Sequence, residues 1–122
     1  MPYRAPVRDQ AFLLNEVLRL ERFANLPGFA DATPDLIQQV LEEGGRFCEE
    51  VLAPLNRVGD HEGCVRAEDG SVKTPTGFKE AYRQMTEGGW PGLAADPDFG
   101  GQGLPAVLNT AFSEMGSSAN MA

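Results

Sequence analysis

The side chains able to do chemistry in this sequence fall into a few small groups, and spacing decides what each group could do. Asp60, His61, Glu62 and Cys64 bring carboxylate, imidazole and thiol together in one short stretch. Their spacing matches no usual zinc pattern, so a solvated loop is the better reading and no metal site is expected. Asp96-x-Asp98 followed by glycines resembles the opening of a calcium loop. The twelfth position from Asp96 is Val107, where a bidentate glutamate is needed, and the hint fails there. Gly101-x-Gly103-x-x-Ala106 has the glycine spacing of a dinucleotide-binding turn. That mechanism needs a preceding strand and a helix N-terminus facing the pyrophosphate. Ala94 to Phe99 holds two aspartates and a proline and makes a poor buried strand, so a packing loop is favoured.

Nucleophilic and acid–base chemistry finds no better footing. Cys48 falls on an apolar helical stripe, where a cysteine is a small core residue. The sole histidine, His61, sits in a polar stretch well away in sequence. Glu42-Glu43 and Glu49-Glu50 are adjacent pairs. Neighbouring residues on a helix do not face one another, so these carboxylates make a solvated acidic face. No catalytic and no cofactor-binding residue is assigned within the chain.

The elements that must position these groups are mostly helical. Residues 1–8 contain two prolines and read as an extended lead-in. A first helix is predicted from Asp9, with Asp9 as N-cap and an apolar face of Leu13, Val17, Leu20 and Ala24 flanked by Leu14 and Leu18. Pro27-Gly28 ends it. The second helix opens on Thr33 as N-cap, Pro34 in the first turn and Asp35 at the positive end of the dipole. Its stripe runs through Leu36, Ile37, Val40, Leu41, Gly44, Phe47, Cys48, Val51, Leu52 and Leu55. Gly44-Gly45 in mid-helix costs about 1 kcal/mol per residue relative to Ala, and a close helix crossing would explain Gly44. Pro54 demands a kink or an end. Asn56 to Lys73 reads as a polar connection in which Asp69-Gly70 could turn a short hairpin. A third helix repeats the second's opening with Thr74 and Pro75. It would bury Phe78, Ala81, Tyr82 and Met85, and pair Arg83 with Glu87. A fourth starts near Pro105 and buries Val107, Leu108, Ala111, Phe112 and Met115.

Between the last two helices lie six glycines and three prolines in the eighteen residues from Gly88 to Pro105. This composition excludes a regular helix. It also lacks serine and offers Trp90, Leu93, Phe99 and Leu104 for burial, so an ordered loop is expected, not a linker.

Size and charge bound the rest. A chain of 122 residues with 42% apolar content builds one domain with a modest core. A net charge of −8 disfavours contact with nucleic acid or anionic membranes. The N-terminus leads into no long apolar run, so neither a signal peptide nor a membrane span is expected. Two cysteines make no disulfide framework, which favours a reducing, cytoplasmic setting. The tail, Gly116 to Ala122, is made of small residues and carries no helix-stop signal. It reads as a chain cut in mid-element, a fragment of something longer.

Several segments together resemble one family. Gly88-Gly89-Trp90-Pro91-Gly92-Leu93 followed by Asp98-Phe99-Gly100-Gly101-Gln102-Gly103-Leu104 is similar to a segment in the N-terminal helical domain of acyl-CoA dehydrogenases. Val51-Leu52-Ala53-Pro54-Leu55-Asn56-x-x-Gly59-Asp60 is the second specific match. Ala5 to Asp9, Leu26 to Phe29 and Ser113-Glu114-Met115 support it. The likeness covers nearly the whole chain and points to a larger subgroup that includes 3-methylmercaptopropionyl-CoA dehydrogenase-like enzymes.

The resemblance implies an all-α domain at residues 1–122, a bundle of about four main helices with an ordered Gly/Pro-rich loop. A β-barrel domain and a C-terminal helical bundle would follow it in the parent. It implies an FAD-dependent oxidoreductase of fatty acid metabolism that converts acyl-CoA to enoyl-CoA and passes electrons to an electron-transfer flavoprotein, assembled as a homo-oligomer. The glutamate base and the flavin contacts would lie beyond Ala122, leaving this chain without FAD and inactive alone. Its expected part is one wall of the acyl pocket, from Asn120, Met121 and Ala122 at the end of the last helix, and domain packing. Trp90, Phe99, Gly100, Gly101 and Gly103 would be structural loop residues, with the aromatics as anchors. The competing reading is a non-catalytic helical interaction module.

Overall fold

A computed structural model describes residues 2–122. Four main helical segments carry the chain. The first is α1 (Val7–Phe12), continued by a π-turn over Leu13–Val17. The second is one long path: α2 (Pro34–Phe47), a π-turn over Cys48–Leu52, then α3 (Ala53–Glu62). After it come β1 (Val65–Arg66) and β2 (Val72–Lys73), an antiparallel pair. Then follow α4 (Phe78–Glu87), the glycine-rich loop, and α5 (Ala106–Ala119). The domain is all-α apart from that small hairpin.

Local chemistry explains most of these boundaries. The Thr33 hydroxyl accepts from the Leu36 amide at 3.2 Å, capping α2 as its sequence predicts. Pro54 is accommodated in the first turn of α3, just after the π-turn. There the ladder has already changed its register, so the missing proline donor breaks no regular α-helical run. The hairpin turns at Asp69-Gly70 as expected, with Gly70 at φ +84° and the Asp69 carboxylate accepting from the Ser71 amide and hydroxyl.

The core sits where α2 crosses α5. Ile37, Leu41 and Cys48 meet Leu108, Phe112, Met115 and Ala119 there. Gly44 lets the helices approach, since a Cβ on it would stand 3.1 Å from Phe112 and 3.3 Å from Met115. Gly45 serves the other side. Its Cβ would lie 2.8 Å from Val7, so both glycines of the pair are used.

Several expectations need correction. The first helix starts at Val7, not Asp9, and Asp9 falls inside its first turn without capping it. It ends at Leu18, because Arg19 adopts a left-handed conformation (φ 52°) well before Pro27-Gly28. Of its supposed buried face only Leu14 and Leu20 are covered, while Leu13, Val17 and Leu18 are 49%, 54% and 44% exposed. The π-turn and the Arg19 reversal break the regular 3.6-residue phase on which that face was drawn. The polar connection drawn from Asn56 is helix as far as Glu62. Thr74 and Pro75 precede α4 instead of opening it; Gly77, at φ +88°, holds the cap position, and Tyr82 is exposed. The pairing of Arg83 with Glu87 forms at 2.6 Å, and Glu80 joins it from the other side.

Candidate functional site

Two regions were singled out from the sequence, the glycine-rich loop and the exit of α5. The loop is closed on itself by backbone hydrogen bonds. Gly101 N donates to Asp96 O, Gln102 N to Gly92 O, Gly103 N to Ala95 O and Leu104 N to Leu93 O, all within 3.0 Å. A Cβ on Gly101 would run into the backbone of Ala95, and one on Gly28 would sit 2.7 Å from the Gly103 carbonyl. Trp90 anchors the loop to the core: it stacks on Phe112 at 4.6 Å between centroids and lies 6.3 Å from Phe47. Leu93 and Leu104 are buried. Phe99 is not; it is 89% exposed. It ends a 3-10 turn opened by Asp96, whose carboxylate accepts from Asp98 N, and Gly100 at φ +86° then turns the chain back towards Ala95 and the buried Leu104, leaving Phe99 at the outer edge of the turn. Phe99 is therefore no anchor within this chain.

The same hydrogen bonds answer whether the loop could cradle a flavin or nucleotide phosphate. Every one of its six glycine amides is engaged within the protein: those of Gly88, Gly89, Gly92 and Gly100 donate to Gln84, Thr86, Gly89 and Pro97. Among the described residues no strand leads directly into the motif; a 3-10 turn over Pro97–Phe99 does. A phosphate cradle needs free amides aimed at the anion, so these residues do not fit that group.

At the α5 exit the three sequence candidates are brought against α3. The Asn120 side chain donates to the Leu52 carbonyl at 2.9 Å, and the Met121 amide donates to Asn56 Oδ1 at 2.9 Å. Met121's side chain is 81% exposed. Beside this corner lies a cleft of about 500 Å³ lined by Tyr3, Glu49, Ala53, Arg57, Ser118 and Ala119. A second groove of about 500 Å³ runs between α2 and the loop over Leu36, Val40, Phe47 and Trp90.

Titratable groups show no catalytic pairing. Burial pushes the Cys48 thiol up to about 11, aided by the Glu49 charge, so it is an inert core residue. Burial also raises Tyr3, with smaller contributions from Cys48, Glu114 and Glu49. The Arg83 guanidinium holds Glu80 down at about 2 on an exposed helix face. Among the described residues no cluster of three or more His, Cys, Asp or Glu could hold a metal ion. Nor, among them, is any helix long and apolar enough to cross a membrane.

Some residues that hold the site together carry little signal in the sequence. Gln10 is buried and donates to Ala111 O and Glu114 Oε2, both at 3.1 Å, tying α1 to α5. The Glu49-Glu50 pattern predicts a solvated carboxylate, yet Glu49 accepts from Ala5 N at 2.8 Å and pairs with Arg4. Tyr3 donates to the Met115 carbonyl. A polar residue on an otherwise apolar helix side was the only available signal, and Gln10 carried it.

The comparisons agree with this architecture. The chain is 40% identical over 121 residues, 99% of its length, to a 3-methylmercaptopropionyl-CoA dehydrogenase of Ruegeria pomeroyi. It is 33% identical over 113 residues, 92% of its length, to a broad-specificity linear acyl-CoA dehydrogenase of Mycobacterium tuberculosis. The chain belongs to the acyl-CoA dehydrogenases. It spans 20% and 18% of the lengths of these two relatives. No protein-family model matches it. The all-α architecture with four main helical segments is thus that of an acyl-CoA dehydrogenase segment.

Proposed function

We propose that residues 1–122 form the N-terminal helical domain of an FAD-dependent acyl-CoA dehydrogenase. In that parent a β-barrel and a C-terminal helical bundle follow. Together they oxidise an acyl-CoA thioester at its α and β carbons to enoyl-CoA, with electrons leaving to an electron-transfer flavoprotein in the cytoplasm. The base and the flavin contacts lie outside this chain. Its own contribution is a packing platform for the other domains and the homo-oligomer, plus one wall of the acyl pocket at Asn120, Met121 and Ala122.

The observation that carries this reading is the 40% identity running along 99% of the chain. The exposed apolar side chains of Phe12, Leu13, Val17 and Phe99 support it, since further domains would give them cover. The same side chains are what the interaction-module alternative would use.

One experiment separates the two. The chain replaces the matching segment of the Ruegeria pomeroyi relative, and flavin content and acyl-CoA oxidation are measured. Retained flavin and turnover are expected. A well-folded graft that loses both would overturn the reading and favour the module. The isolated chain is expected to purify without flavin, and stoichiometric yellow absorbance would refute that part.

A further inference from the structure

We propose that Asn56, Gly59 and Asn120 form a socket that fixes the course of the chain leaving α5, making Asn56 and Asn120 positioning residues for Met121. The socket stands on geometry alone. Its consequence for acyl-chain selectivity rests on the function proposed above.

Asn56 and Gly59 stand three residues apart on α3 and so share a face. That face receives the chain just after α5. Asn56 Oδ1 accepts from the Met121 amide at 2.9 Å. Asn120 answers in the other direction, donating from Nδ2 to the Leu52 carbonyl at 2.9 Å while its Oδ1 accepts from the Ala122 amide at 3.0 Å. Asn120 itself is extended, at φ −152°, so the helix stops there and the chain turns across α3. Gly59 provides the floor. It is buried, and a Cβ on it would stand 2.6 Å from the Ala122 Cβ and 2.6 Å from the Phe78 ring.

These contacts divide Met121 into two parts with opposite constraints. Its backbone is held at its own amide and on both flanks. Its side chain is 81% exposed within residues 2–122. A residue whose backbone is pinned and whose apolar side chain points outward is arranged to present that side chain to something else. Under the proposed function that something is the acyl chain of the thioester. The Asn-x-x-Gly pair also lies within the second sequence segment that marks the family resemblance, Val51 to Asp60.

The test uses Asn56→Ala, Asn56→Asp and Asn120→Asp. Asn56→Asp keeps the acceptor oxygen for the Met121 amide, so it serves as the conservative rescue. In the isolated chain, amide hydrogen exchange at Met121 should rise about fivefold in Asn56→Ala, the factor that one hydrogen bond of ordinary net strength supplies. Asn56→Asp should return it towards the wild-type rate. In the grafted dehydrogenase, Asn56→Ala should shift the kcat/KM ratio between short- and long-chain acyl-CoA by about tenfold at unchanged flavin content, since small misplacements of positioning groups carry large kinetic cost.

Unchanged exchange in Asn56→Ala would overturn the socket. Faster exchange with an unchanged chain-length ratio would overturn the positioning role. A wild-type graft without flavin would count against the proposed function, and the exchange measurement would still decide the socket. Should Asn56→Ala fail to fold, Asn120→Asp replaces the donor to Leu52 with a carboxylate oxygen that faces the carbonyl, keeps the acceptor for the Ala122 amide, and carries both readouts.

Discussion

The α2–α5 crossing and the α1 segment both display apolar stripes in sequence, yet the structure treats them in opposite ways. At the crossing Leu41, Cys48, Leu108 and Met115 are completely excluded from solvent. Along α1 and its π-turn, Phe12, Leu13, Val17 and Leu18 remain between 44% and 58% exposed. Periodicity reports that a helix has an apolar face. It does not report whether this chain supplies the cover. Close approach explains the covered parts: Gly44 admits Phe112 and Met115 of α5, and Gly45 admits Ala5 and Val7 at the very start of α1, but nothing comparable reaches the far end of that segment. Leu13 and Val17 have no such receiving surface.

The comparison can be broken most directly by truncation. Leu108→Ala, at a fully buried site, should cost about 3 kcal/mol in urea unfolding, within the range for buried leucines. Leu13→Ala should cost much less, as truncation at a half-exposed site leaves no sealed cavity. Equal losses would erase the distinction between the two regions.

A thiol titration sharpens it. Cys48 and Cys64 are both unpaired, the first buried and the second exposed. Cys64 should be alkylated promptly in the native protein, and Cys48 only on unfolding. The folded Cys48 thiol holds its proton more tightly than its ordinary value of 9.0, up to about 11. Its contribution to stability is therefore complete below about pH 9 and is lost as pH climbs towards 11, by on the order of 2 kcal/mol. Denaturation midpoints that stay flat across that window, or that are equally pH-dependent in Cys48→Ala, would show that burial at the crossing is not what raises it.

The smallest effect belongs to the loop. Gly100 has open space around it but sits at φ +86°, so Gly100→Ala should cost about 1 kcal/mol through backbone strain alone. Gly101→Ala meets Ala95 as well and should cost more. If both substitutions were neutral in thermal unfolding, the loop would be a flexible connector and not part of the packed region.

Much of this was legible beforehand, and for local reasons. The Thr33–Pro34 opening, the Asp69-Gly70 turn, the Arg83–Glu87 pair and the apolar side of α5 each depend on residues within about one turn of each other. The failures share a different cause. The end of α1 is set by a π-turn and a left-handed Arg19, and neither has a composition signal. Glu49 looked solvated until the N-terminal segment arrived to donate to it from Ala5. Phe99 looked like an anchor because an aromatic in a glycine-rich loop usually has area to bury, but its direction is decided by the turn geometry at Asp96 and Gly100.

From residue order alone follow the four helical segments and the ordered loop, because propensity, capping and turn chemistry act over a few neighbours. Only the folded chain decides which apolar face is covered, and that Asn56 and Gly59 receive the residues after α5. Asn56 and Met121 are 65 positions apart along the backbone, and no local preference of either can encode a meeting that the packing of α5 against α2 and the π-turn before α3 creates.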